Sequence, residues 1–164
     1  MDKPADNLHR IYHDQFYGTP LDCDNELFGR FLLEINQAGL SWDTILKKEA
    51  NFKKAFDEFD VTKIAAYTPT KIDELLQNQG IIRNKLKINA VIYNANQVLR
   101  IQKECGTFKL WLDSHRGNSK EEWVHLFKRN FKFVGGEIVG EFLMSTAYLP
   151  GAHQPGCFRY NDKL

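Results

Sequence analysis

Apolar residues recur along this chain at helical intervals. When successive residues are set about 100° apart, Leu27, Phe28, Phe31, Leu32, Ile35 and Ala38 share one arc. Asp24 precedes that run and is placed to cap a helix over residues 25–37. A second helix is expected from Trp42, with Ser41 as its cap and Ile45 and Leu46 on its inner side. Phe52, Phe56 and Phe59 repeat at i, i+4 and i+7. Thr70 and Asp73 mark another helix start, and Gly80 marks its stop. The longest helix is expected over residues 83–105, with Ile88, Val91, Ile92, Ala95, Val98, Leu99 and Ile101 facing inward. Ser119 and Glu122 form a capping box ahead of Trp123, Leu126 and Phe127. Phe131–Glu137 reads as a short hairpin, after which residues 138–149 resume a helix that Pro150 and Gly151 end. Residues 106–119 are the most polar stretch and are expected to be a flexible connection. No alternating strand pattern and no repeat interrupts this series, so the expected class is all-α, built from short helices with short connections.

Composition narrows the picture. A chain of 164 residues, 43% hydrophobic and 13% aromatic, can bury a sizeable core. Residues 1–164 are expected to form a single domain, or two small lobes sharing one core. The net charge is only +1, so any grip on nucleic acid must come from a local basic patch. Cys23, Cys105 and Cys157 make no paired framework and no signal peptide is read at the start, so the expected location is the cytoplasm. No apolar run approaches the roughly 18 residues that span a bilayer, so no membrane partner is expected.

The candidate chemistry begins with Glu34, the one carboxylate inside "FLLEINQAGLSW". On the helical wheel it lies at the edge of the apolar arc, within about 20° of Leu27. Taken alone, the helix favours a boundary glutamate whose stem packs and whose head reaches water. A buried carboxylate would need a partner or a raised pKa. The break that follows, Gln37 to Ser41, sets Trp42 at a helix start close to the same helix end, which makes a recognition pocket conceivable.

Two other groups stand out. His153 and Cys157 are spaced H-x3-C near the end of the chain, and His13 lies near its beginning. That pair suits a turn closing on one zinc ion, with His13 as a third ligand tying the two ends together in a structural role, although packing residues of these types are common. Lys128, Arg129 and Lys132 precede Gly135 and Gly136, which open a helix. Free backbone N–H groups at such a start can hold a phosphate, while a tight interhelical turn with solvated lysines is the plainer alternative. Gly80–Ile88 adds Arg83, Lys85 and Lys87.

Taken in order, "YHD" at 12–14, "QAGLSW" at 37–42, "GIIRNKLKI" at 80–88, "FKFVG" at 131–135 and the closing His153 and Cys157 resemble the DNA-3-methyladenine glycosylase I family. The resemblance covers most of the chain. It implies a helical variant of the helix-hairpin-helix glycosylases, working as a monomer on alkylated double-stranded DNA. The implied enzyme flips 3-methyladenine out of the duplex and hydrolyses its N-glycosidic bond. It implies polar base recognition by Glu34 and Tyr12, stacking by Trp42, and a place for Gly39 and Leu40 near the gap left in the duplex. Lys132, Gly135 and Gly136 would grip the DNA backbone.

The departures from the family are specific. Its usual opening Arg-Cys-x-Trp, a zinc ligand and a second aromatic, has no counterpart here. The Cys would precede Met1 and the Trp would fall on Asp2, which reduces the zinc set to His13, His153 and Cys157. The family's Glu-Trp-Gly after "YHD" is Phe16-Tyr17-Gly18, which leaves Tyr17 as a possible pocket aromatic. A non-catalytic DNA-lesion binder on the same scaffold, or a small-molecule-binding domain, are the alternatives that these losses keep open.

Overall fold

The structure is a computed structural model that describes residues 21–37 and 41–150, and within them all side chains except those of Gln37, Trp42 and Ile45. The described residues form eight α-helices and one 3-10 turn, without strands. In chain order these are α1 (Asp24–Gln37), α2 (Trp42–Ala55), the 3-10 turn (Asp57–Phe59), α3 (Val61–Ala65), α4 (Pro69–Gln77), α5 (Lys85–Cys105), α6 (Phe108–Ser114), α7 (Lys120–Asn130) and α8 (Gly136–Ser145). None is long and apolar enough to cross a membrane.

α1 is the hub. Leu27, Phe28, Phe31, Leu32, Leu33 and Ile35 are all buried, so apolar contact surrounds this helix rather than lining one side. It packs on α2, α3, α5, α6, α8 and the 3-10 turn. Phe31 sits at the centre, with ring centroids 5.6 Å from Phe127, 5.1 Å from Phe131 and 5.1 Å from Phe142. Those partners come from α7, the 131–135 turn and α8, so one side chain of α1 holds the C-terminal helices to the centre.

Local signals set several ends as the pattern predicts. Ser41 accepts a hydrogen bond from Thr44 N, Asn84 accepts one from Lys87 N, and Ser119 with Glu122 completes a reciprocal capping box. Other ends move. Phe52 and Phe56 do not share a continuing helix with Phe59: α2 stops at Ala55, and Asp57, Glu58 and Phe59 take φ values of 52°, 59° and 60°. The hydroxyl of Tyr67 donates to the Asp57 carboxylate at 2.6 Å within this left-handed turn. α4 begins at Pro69 behind the Thr68 cap, ahead of the predicted Thr70, and ends at Gln77, short of Gly80. α8 ends at Ser145 rather than continuing to residue 149.

Residues 106–119 are not a loose connection. They contain α6, whose Phe108, Trp111 and Leu112 are buried. The reason lies on α1. Asp24 is not the cap before α1 but its first residue, and its carboxylate accepts from Phe108 N at 2.8 Å, Lys109 N at 3.0 Å and the Gln102 amide at 2.8 Å. The free amides at the start of α6 are thus met by an acid more than 80 residues earlier, where an anion also opposes the positive helix end.

Candidate base-recognition site

The centre of the site is the last turn of α1. Glu34 is 1% exposed, which overturns the boundary position that the helical wheel favours. Its Oε2 has no hydrogen-bond partner among the described residues. Burial pushes its carboxyl up to about 8, nearby Glu141 of α8 pushes in the same direction, and Arg30 opposes them. The empty pocket therefore holds a largely neutral Glu34 at neutral pH, with one oxygen ready for a donor or a cation.

Neighbouring groups fix where α1 stops. The Asn36 amide donates to Leu32 O at 2.9 Å, and the Lys87 ammonium donates to Asn36 O at 3.2 Å. Lys87 is buried at the start of α5, and desolvation lowers its pKa. An ammonium on a terminal carbonyl satisfies one of the orphan acceptors of a helix end and suits its negative pole. On the far side of the break, Ser41 Oγ lies 2.7 Å from Thr44 Oγ1 and caps α2, so Trp42 enters as its first residue. The two helix ends that flank residues 38–40 are thus each held by a named polar contact.

A second arm of the site is the 131–135 turn between α7 and α8. Asn94, fully buried on α5, holds the backbone of Lys132 at both its N–H and its carbonyl. The Lys132 ammonium lies over the Tyr93 ring, 4.2 Å from its centroid. Phe133 follows in left-handed conformation with φ 61° and is 41% exposed. Gly135 opens α8 without any side-chain cap, and a Cβ at Gly135 or Gly136 would meet nothing within 4 Å. Neither glycine is demanded by packing inside the chain. Their effect is to leave a helix start bare toward solvent, where an anion can approach the backbone.

Of the residues singled out from sequence, Glu34, Lys132, Gly135 and Gly136 belong to these two arms. Tyr12, His13, Tyr17, Gly39, Leu40, His153 and Cys157 lie outside the described residues, and only the backbone of Trp42 lies within them. Among the described residues no group of three or more His, Cys, Asp or Glu is arranged to hold a metal. Sequence reasoning passed over Arg30 and Glu141 and gave Lys87 only to a basic turn. Lys87 had a signal: it stands four residues before Val91 and seven before Asn94, on the buried stripe of α5. Glu141 had none, because its meaning depends on which helix packs beside it.

The frame is that of a helical DNA glycosylase. It superposes on a crystal structure of 3-methyladenine DNA glycosylase I (TAG) with a TM-score of 0.86 and 32% identity, over 98% of this chain and 97% of that one. The chain belongs to the methyladenine glycosylase family, whose profile matches residues 3–125. It is 34% identical over a 174-residue alignment to DNA-3-methyladenine glycosylase 1 of Escherichia coli (strain K12), covering 94% of this chain and 92% of the relative. A Staphylococcus aureus 3-methyladenine DNA glycosylase I, solved to explain its recognition of 3-methyladenine, is 29% identical with a TM-score of 0.79, over 90% of this chain and 87% of that one.

Proposed function

We propose that this protein is a DNA glycosylase of base-excision repair that hydrolyses the N-glycosidic bond of 3-methyladenine in alkylated DNA. The observation that carries the reading is Glu34, 1% exposed, with an Oε2 that no described group satisfies. A buried, unmatched carboxylate oxygen is costly to an empty protein and is compensated when a cationic donor arrives. N3-alkylation makes the adenine in DNA cationic. Its exocyclic amine can donate to Glu34, and the aromatic face of Trp42 can attract its ring.

The chemistry follows from that charge. The electron pair of the glycosidic bond leaves with the base, which departs neutral, and the positive charge passes to the sugar. Water adds there and a proton is released to solvent. The leaving group needs no protonation, so the protein's task is extrusion, positioning and electrostatic stabilisation. The 131–135 turn, with Lys132 and the bare start of α8 at Gly135 and Gly136, serves as the hairpin that grips the phosphate backbone. Gly39 and Leu40 fill the gap in the duplex, and Tyr12 and Tyr17 complete the pocket. The same reading has the enzyme act as a cytoplasmic monomer.

The zinc reading stands beside it as a proposal of its own. His13, His153 and Cys157 are chemically suited to zinc and supply three ligands, leaving a fourth to water or to another group. Elemental analysis of the purified protein checks it: one zinc per chain is expected, and its absence removes the metal from the account.

The activity is tested by incubating the protein with methylated DNA and measuring released bases. Release of 3-methyladenine well above that of Glu34→Gln is expected. Equal release by the two proteins would overturn the assignment, and salt-dependent DNA binding without release would mark a lesion-binding protein instead.

A further inference from the structure

α1 and α8 cross with a defined register. The Arg30 guanidinium donates to Ser145 O at 3.4 Å. One turn forward on α1 is Glu34, and one turn back on α8 is Glu141. Electrostatic contact between these two acids completes an antiparallel match in which Arg30 meets Ser145 and Glu34 meets Glu141. Glu34 is buried and Glu141 half-buried. Two acids at one level of a helix interface repel when both are charged, and low local polarity strengthens the repulsion. Arg30 does not cancel it: its influence on Glu34 is the smaller, and its guanidinium is engaged at Ser145.

The remaining surroundings of Glu34 supply little countercharge. α5 brings Lys87, but to Asn36 O, two residues further on. α2 carries Asp43, half-buried, and Lys47, exposed. α3, α6 and the 3-10 turn meet α1 at its earlier turns, through Asn25 with Val61, Asp24 with Phe108, and Gly29 with Phe59. Such a pair gives an empty protein no stability. It is stabilised by a shared proton or by a cation from outside.

We propose that Glu141 is a specificity-determining residue of the base pocket, forming with Glu34 an acidic pair that selects positively charged purines over neutral ones. This rests on the glycosylase reading above. In the empty enzyme the pair retains one proton. A cationic N3-alkylated purine entering the pocket displaces that proton to solvent and takes its place as the countercharge. A neutral purine cannot, and leaves the pair protonated. Glu141 thus adds to the pocket an electrostatic filter that does not depend on an N-terminal aromatic.

The test pairs a titration with a selectivity measurement on the full chain. The carboxyl carbon of Glu34 is followed by NMR across pH 5–9 in the natural protein and in Glu141→Gln and Glu141→Ser. Single-turnover release of 3-methyladenine is compared with release of hypoxanthine, a neutral purine, from DNA. In both variants the Glu34 midpoint is expected to fall by about one pH unit, and preference for the cationic base to drop by about tenfold. An unchanged midpoint in two folded variants, or a lower midpoint with unchanged preference, overturns the proposal. If the natural protein releases no base at all, the glycosylase reading fails, and the titration still decides whether the two acids are coupled.

Discussion

Asn94 and Lys132 exchange two hydrogen bonds: the amide of Asn94 donates to Lys132 O at 3.0 Å and accepts from Lys132 N at 2.8 Å. One buried side chain on the longest helix therefore stands in for a strand partner and fixes the turn that carries the lysine and opens α8. Asn94→Ala is expected to leave both backbone groups of Lys132 unmatched, at a cost of about 1–3 kcal/mol. It should weaken DNA binding more than a charge removal at exposed Arg129 does. Urea unfolding and fluorescence anisotropy with a DNA duplex check both statements, and undiminished binding would remove the turn from the DNA interface.

Glu34 gives a pH-dependent prediction. Its carboxyl titrates near 8 in the folded chain, against an ordinary value of 4.5. Between those limits the folded state holds more protons than the unfolded state, so the contribution of Glu34 to stability is present at acid pH and declines as pH rises. The decline amounts to roughly 1.4 kcal/mol per pH unit at most. Glu34→Gln removes the titration. Its stability relative to the natural protein should improve steadily from pH 5 to pH 8 and level off above, as measured by denaturant unfolding at several pH values. A difference that does not vary with pH contradicts the burial of this acid.

Gly29 faces the ring of Phe59. A Cβ there would come within 2.7 Å of Phe59 Cγ and touch Cδ2. Phe59 is buried and anchored in the left-handed turn 57–59, so its ring has little freedom to withdraw. Gly29→Ala would ordinarily strengthen a helix. Here overpacking should dominate, with a net destabilisation of about 1–3 kcal/mol by chemical denaturation. A stabilised variant would show that the turn yields.

Asp24 docks α6 through two backbone amides and the Gln102 side chain. Asp24→Asn can meet at most part of this set, because a carboxylate accepts at both oxygens and an amide at only one. A loss of about 1–3 kcal/mol is expected. Hydrogen exchange should speed up first at Leu110–Leu112, where α6 turns into the core. Uniform acceleration across the chain would argue that α6 is not docked as a separate unit.

The sequence by itself determined the helical class, the interior faces of α1 and α5, and those helix starts whose cap lies within three residues, as at Ser41, Asn84 and Ser119. It also carried, through the order of its motifs, the resemblance that the comparisons bear out. These are local properties, because spacing fixes which residues share a face and which side chain can reach a nearby free amide. Only the tertiary structure decided how deep each face lies. Glu34 sits at the rim of an apolar arc on its own helix, and α8, more than 100 residues later, covers it and supplies Glu141. Asp24 has the form of a local cap and serves a helix more than 80 residues away. Residues 106–119 are polar enough to read as a linker, yet Phe108, Trp111 and Leu112 find a core already built by other segments. In each case the outcome rests on long-range packing, which the pattern of neighbouring residues does not encode.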